Sequence, residues 1–396
     1  MTKIEHKIFN FIERHILDVF FVVVTAFGIA IHLCGLSFKS GDFTSFLNPW
    51  WNVIKDVGIG GLKTQVGNYN IPYQIIIYIL TLFPWSPLLA YKTLSIIFDI
   101  VLAFSVALLV KEISKSSVYS LVAYSVTLCS MTVVFNSSFW AQCDSIYVAF
   151  ILFAIYFLIK EKNVPSFVML GVSFAFKLQV VFILPVFLFY YVLNKKISIL
   201  HFFIIPAVDF VLCSPAIFLG RNIADVFTIY LRQTDYGKQI YMNCPNIFAF
   251  MCDGNNAEYY RLFKSMSILL TVVILGIMLC LMIYKKTDLS NTKNFLLTAI
   301  WTSFTCIMFL SSMHERYGYL LDILLIVYAV IYRKNIIPAI VCNLVSLRGY
   351  CFYLFKYEVL SINLTALVYI GMYLYITYIL IRDILIPEKK VISLKE

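Results

Sequence analysis

A succession of long apolar runs, almost free of charge, restricts this chain more than any other feature. Residues 17–37, 86–110 and 263–284 are three of them, each close to the ~20 residues that a helix needs to cross a bilayer. Backbone in lipid has no water to bond, so a crossing segment must close its hydrogen bonds as a helix or inside a closed barrel. The runs are continuous rather than alternating, which argues against a barrel. Of the 396 residues 61% are hydrophobic and 13% charged, against roughly 25% charged in a soluble protein. A soluble enzyme, a disordered chain and a secreted disulfide scaffold are excluded. The expected fold is all-α, a polytopic integral membrane protein surrounded by membrane lipids.

The net charge of +10 does not point to nucleic acid. The basic residues sit in small clusters between apolar runs, with no aromatic-plus-basic motif beside them, and read as lysines that hold loops in the cytoplasm. Walked by length, helices fall near 17–37, 86–110, 117–135, 144–159, 165–177, 179–194, 197–219, 263–284, 293–311, 319–332, 335–350 and 361–382. That is about 12 spans, with a range of 11–13. Those within 165–194 are too short to cross fully and are expected to be short or broken helices packed inside protein. The stretch 71–83 is placed on or near the outer face. The N-terminus is amphipathic and lacks a cleavage site, so the first run is expected to be retained.

With the N-terminus inside, 18 of the 31 Lys and Arg residues fall on inner segments. Lys111 and Lys115, Lys160 and Lys162, Lys195 and Lys196, Lys285 and Lys286, and Arg333 and Lys334 mark every second connection, as the positive-inside rule requires. Both termini are then cytoplasmic. The outer face receives two long polar segments, 38–70 and 220–262, and long segments in a compact protein are usually functional. The chain is expected to form one transmembrane domain in two modules, 1–220 of catalytic type and 221–396.

The chemistry-bearing residues cluster on that outer face. In the first segment Asp42 precedes Phe43, Phe46, Leu47, Trp50, Trp51, Val53, Ile54 and Val57, whose helical spacing describes an amphipathic helix at the membrane interface. Asp42 is either a reactive carboxylate or an N-terminal cap. The segment ends on Asn68-Tyr69-Asn70-Ile71-Pro72-Tyr73, a turn with Pro at the start of a helix. Asn136-Ser137-Ser138-Phe139-Trp140-Ala141-Gln142-Cys143-Asp144-Ser145 combines an aromatic, an amide and a carboxylate. That set suits sugar binding, and equally a capped helix start with an interfacial tryptophan. It also contains a glycosylation sequon, discounted because it abuts the membrane. Lys177 interrupts an apolar run, which costs about 2.5–3.5 kcal/mol on insertion scales, so it needs an anion, a polar cavity or a snorkelling route.

Met313-His314-Glu315-Arg316-Tyr317 concentrates groups able to bind phosphate. It lacks a Cys or a second His, so no zinc site is expected. Asp99, Asp209 and Asp322 lie within spans, where they either fix packing or relay protons. The ten cysteines lie mostly inside apolar runs as small hydrophobes. Cys244 and Cys252 share one polar segment, where a disulfide and two free thiols are both sterically open.

Together these motifs resemble the GT-C-fold glycosyltransferases, polytopic enzymes that use polyprenyl-phosphate sugars. Gly41-Asp42-Phe43 and its aromatic helix resemble their first outer loop, and Asn68–Tyr73 resembles their Tyr-Pro-Pro turn, with Ile replacing one Pro. Phe98-Asp99-Ile100 is similar to the acid in the following helix. Trp140–Ser145 resembles the Trp-Gly-Gln-x-Asp-Ser stretch of bacterial proteins related to the second GPI mannosyltransferase, with Ala141 in the place of Gly. Phe174–Gln179 resembles the Phe-Lys-Gln segment of the dolichyl-phosphate-glucose-dependent glucosyltransferases, with Leu inserted. Met313–Tyr317 resembles the His-Glu-[Arg/Lys] motif of both groups. The matches run in family order from Asp42 to Tyr317. The last ~80 residues and the segment 220–262 carry none.

The resemblance implies an inverting transfer of a hexose from a polyprenyl phosphate to an acceptor hydroxyl. The acceptor would be a cell-envelope glycan or a lipid-linked saccharide, met at the outer face of a bacterial membrane. Asp42 would be the general base. Arg316, His314 and Lys177 would bind the donor phosphate. Asp144, Gln142, Trp140, Glu315 and Tyr69 would contact sugar or acceptor, and no cofactor or metal is called for. The intramembrane acids keep a second class open, a flippase or secondary transporter, although no internal repeat of the kind common in transporters is found. A polysaccharide polymerase or ligase would share the donor.

Overall fold

The computed structural model describes all residues except 235–238, 252–258 and 387–396. Among the described residues the chain is helical, and pairing between extended segments is limited to bridges from Met242 and Asn243 to His314. Among the described residues six helices are long and apolar enough to cross a membrane: Ile16–Leu33, Pro87–Ser114, Ile199–Phe218, Tyr260–Tyr284, Ile336–Phe355 and Ile362–Leu385. Ser117–Leu128 with Met131–Phe139 makes a seventh if the pair, bent by 43°, is counted as one span. Five further apolar helices are shorter: Ile71–Thr81, Asp144–Ile159, Asn163–Phe176, Leu178–Asn194 and Tyr319–Ile331. The protein is polytopic and helical; six or seven helices among the described residues are long enough to cross, where length alone leads to an expectation of about twelve spans. Several apolar runs end early, because they lie against other helices rather than lipid.

Local chemistry explains many boundaries. Ser86 caps Pro87–Ser114 by accepting from the Leu89 amide, and proline occupies its first turn. Asn70 caps Ile71–Thr81 in the same manner. Lys115, Lys195 and Lys356 end helices in the left-handed region, with φ of 55–56°. Each places a cation where the helix dipole is negative. The break in the run 165–194 falls at Lys177, whose extended backbone (φ −155°, ψ 136°) ends Asn163–Phe176 before a short turn at Leu178–Phe182.

The chain folds as two compact units. One comprises residues 1–178, 204–234 and 329–334, the other 179–203, 235–328 and 335–396. In the first, Asp144–Ile159 is buried on most sides by Pro87–Ser114 and Asn163–Phe176. Gly171 lets Ile204–Phe218 approach closely, since a Cβ there would lie 2.6 Å from Val208. In the second, Thr292–Phe309 is the central helix, buried from Phe295 to Met308. Trp301 Nε1 donates to Thr377 Oγ1 (2.9 Å), and Phe304 packs on Tyr369. Helices such as Ile16–Leu33 and Tyr260–Tyr284 keep broad apolar faces exposed. Those faces suit lipid, because a soluble protein rarely leaves such patches open.

Candidate active site

The polar segment 38–70 is fixed within the first unit at both ends. Lys92, buried in Pro87–Ser114, donates to the carbonyls of Gly35 (2.6 Å), Leu36 (3.3 Å) and Phe38 (2.5 Å) just beyond the first span. A lysine at this depth is stable because three carbonyls take its three protons. At the other end Asn70 donates to Asp209 Oδ1 and to the Ala175 carbonyl, both at 3.0 Å. Asp209, one of the three intramembrane acids, therefore holds a turn of this segment.

Between these anchors Ser40, not Asp42, caps the new helix. Its hydroxyl accepts from the Phe43 amide (3.1 Å) and donates to the Trp140 carbonyl (3.0 Å). Asp42 lies in the first turn and makes no capping bond. Its Oδ2 instead accepts from Trp140 Nε1 (2.8 Å) and Gln142 Nε2 (2.9 Å), residues about a hundred positions away. Gln142 Oε1 accepts from the Tyr69 hydroxyl (2.9 Å). The carboxylate takes the amide's N–H, which leaves its oxygen for the phenol. Asp42 remains partly exposed. The helix after it carries Phe43, Leu47, Trp51 and Ile54 into the protein core, with Trp51 against Tyr91. The amphipathic stripe thus faces protein; Trp50, Phe46 and Val53 keep partial exposure.

Two of the expected sugar contacts, Trp140 and Gln142, are buried and bonded within the protein. Trp140 is 1% exposed. Its ring is enclosed by protein, and its indole N–H donates to Asp42. Gln142, 2% exposed, spends both ends of its amide on Asp42 and Tyr69. Asn136, Ser137 and Ser138 are also fully buried, which closes the sequon to modification in this fold.

Asp144 and Lys177, expected to serve sugar and phosphate, meet each other in a buried ion pair. Asn136 Nδ2 donates to the other Asp144 oxygen (2.7 Å), and the Lys177 ammonium lies 5.7 Å from the centre of the Tyr147 ring. The neighbouring Ser145 donates to Asp99, which also faces His32 Nε2 at 3.0 Å. Asp99 and Asp209 therefore have protein partners, the arrangement of packing acids. Asp322 is fully buried in the second unit.

Ala141 sits at φ +62° in the turn between Trp140 and Gln142. The left-handed region is where glycine is at ease and a Cβ is not. This accounts physically for Gly at the matching position of the motif it resembles. The turn aims Trp140 and Gln142 at one oxygen.

The second unit holds the His-Glu-Arg segment. Met242 and Asn243 bridge to His314, and Ser312 is tied to Ile240 by a 2.7 Å backbone bond and to the Gln239 carbonyl by its hydroxyl (2.6 Å). His314 and Arg316 are partly exposed and Glu315 is buried, its Oε2 4.0 Å from His314 Nδ1. Gly349 allows this: a Cβ there would lie 2.8 Å from that of Glu315. Arg348, beside it, donates to Leu360 O (2.9 Å), Asn243 Oδ1 (3.3 Å) and Glu358 (3.0 Å). Sequence reading missed Arg348, Lys92 and Ser40; a charge inside an apolar run was the available signal for the first two. Burial pushes the Cys244 thiol well up from its usual range. A bond from Cys244 to Cys252 lies outside the described residues.

Compared with known proteins, residues 68–312 match the family model of glycosyltransferase family 87. Tyr69, Trp140, Gln142, Asp144 and Lys177 fall inside the match; Asp42 and the 314–316 triplet flank it. No curated protein matches the chain. The match supports a membrane glycosyltransferase, with a sugar donor and an acceptor, but not the two narrower groups to which the motifs were compared. It covers more than half of the chain, and the chain belongs to glycosyltransferase family 87.

Proposed function

We propose that this member of glycosyltransferase family 87 is an inverting transferase acting on a polyprenyl-phosphate hexose, with Asp42 as its general base. The observation that carries the reading is the double hydrogen bond on Asp42 Oδ2 from Trp140 and Gln142. Two donors fix the plane of the carboxylate, and partial exposure lets an acceptor approach it. The acceptor hydroxyl attacks the anomeric carbon and its proton passes to Asp42. The bond from that carbon to the phosphate oxygen breaks, and the polyprenyl phosphate leaves with the electron pair. One displacement inverts the anomeric centre.

His314 and Arg316 are assigned the departing phosphate, since a guanidinium fork and an imidazolium match its oxygens. Lys177 enters this reading chiefly as the counter-charge of Asp144, which it already holds. Tyr69 and Glu315 are left for sugar or acceptor hydroxyls. The acceptor is placed on the extracytoplasmic face, on an envelope glycan or a lipid-linked saccharide. The Ile, Lys, Asn, Phe and Tyr bias of the sequence suits an AT-rich bacterial genome.

The test is transfer by the purified protein in nanodiscs. Radiolabelled undecaprenyl-phosphate glucose, galactose and mannose are offered separately, with envelope lipid and glycan extracts as acceptors. Labelled product from one donor, with inverted anomeric configuration by NMR, is the expected result. Label transfer from nucleotide sugars alone, or retention of configuration, would overturn the reading.

A further inference from the structure

The polar segment that begins at 220 matches no motif, yet its first charged residue reaches back to the base. Arg221 follows the span Ile199–Phe218 and is 3% exposed. Its Nη1 donates to the carbonyls of Thr64 (3.0 Å) and Leu62 (3.4 Å) and to Gln74 Oε1 (3.2 Å). Its Nη2 donates to Gln65 Oε1. Asp225, one turn on, faces Nε at 3.5 Å and balances the charge. A guanidinium is suited to this because its five donors lie in one rigid plane.

The contacts continue towards Asp42. Gln65, held by Arg221, donates through Nε2 to the carbonyls of Gly67 (3.0 Å) and Tyr69 (2.6 Å). Those bonds shape the turn at Gly67, whose φ of +73° and closeness to the Trp50 ring (2.5 Å from a Cβ) leave room only for glycine. Tyr69 then donates to Gln142, and Gln142 to Asp42. We propose that Arg221 is a positioning residue for Asp42, acting through Gln65, Tyr69 and Gln142. The inference rests on the reading of Asp42 as the base. It gives the second outer segment a stated task, to hold the first outer segment in register with the reacting carboxylate.

The indole N–H of Trp140 provides a readout that needs no substrate. It bonds directly to Asp42, so its nitrogen-15-edited proton resonance should titrate with that carboxylate, and the Trp140→Phe variant identifies it among five tryptophans. Releasing Gln142 removes one donor from the ionised form, which moves the midpoint up. Tyr69→Phe, Gln65→Leu and Arg221→Gln should each raise it, Arg221→Lys less than Arg221→Gln. Arg221→Gln combined with Tyr69→Phe should raise it no further than the larger single effect, because both cut one string.

A midpoint unmoved in both Arg221→Gln and Gln65→Leu, with Tyr69→Phe raising it, would overturn the proposal. So would full additivity in the double variant. If Arg221→Gln does not fold, Gln65→Leu carries the test. Asp42→Asn assayed for transfer separates the two ideas. Normal turnover there removes the base and leaves the string, whereas loss of turnover with additive midpoints removes only the role of Arg221.

Discussion

Trp140 and Gln142 donate to the same Asp42 oxygen, and this sets what each substitution removes. Asp42→Asn keeps the shape but loses the proton acceptor, so turnover should fall by roughly 10²–10⁴-fold with donor affinity nearly intact. Steady-state transfer at saturating donor checks it. Asp56→Asn, on an exposed turn of the following helix, should leave turnover unchanged in the same assay. Ala141 makes a prediction of opposite sign. Ala141→Gly removes the Cβ from a left-handed position and should stabilise the protein by about 0.5–1 kcal/mol, net of the greater freedom of the unfolded chain. A rise in melting temperature in detergent is expected, with activity retained.

Asp144 and Lys177 join the start of one helix to the end of the next, and their energetics belong to that pairing. With either charge removed, the other is left buried without its partner, a loss of about 3–5 kcal/mol. Asp144→Asn and Lys177→Met should each lower stability by that scale. The double variant should recover much of it, because it leaves no buried charge without a partner. A thermal-melt double-mutant cycle measures this. Loss of activity in Asp144→Asn alone is therefore no proof that Asp144 is the base; activity restored in the double variant would exclude it. The helix Asn48–Val57 gives a parallel case. Trp51 is 2% exposed against Tyr91, so Trp51→Ala should cost about 3–5 kcal/mol, and Trp50→Ala less.

For the whole molecule the alternating basic clusters predict sidedness. Single cysteines near Asp42 and His314 should react with an impermeant maleimide from outside intact cells, while cysteines at Lys195 and Lys285 should not. External labelling at Lys195 would put the proposed site on the wrong face. The count of spans divides along a physical line. Runs such as 86–110 and 263–284 remain long because one face meets lipid. The runs within 144–194 shorten or break because they are enclosed by other helices, where a lysine or an extended residue can be satisfied by protein. Hydropathy gives both the same signal.

Apolar periodicity and the spacing of lysines were enough, from the sequence alone, to establish a helical membrane protein. The order of its polar motifs was enough to bring it among the glycosyltransferases. These properties are local or additive: a helix in lipid closes its own hydrogen bonds, and each basic loop is read where it stands. Partnership is neither local nor additive. Asp42 reads in the sequence as a cap or as a base; the fold gives the cap to Ser40 and brings Trp140 and Gln142 onto the Asp42 oxygen. Trp140 and Gln142 read as sugar ligands in the sequence, and the fold buries both with their N–H groups on that carboxylate. Asp144 and Lys177 were given separate tasks until they met. Arg221, Lys92 and Arg348 had no assigned role, because a buried charge takes its meaning from acceptors that lie between 10 and 159 residues away. Only the tertiary structure selects those acceptors, since in a low-dielectric interior every charge and donor must find a partner wherever the fold can supply one.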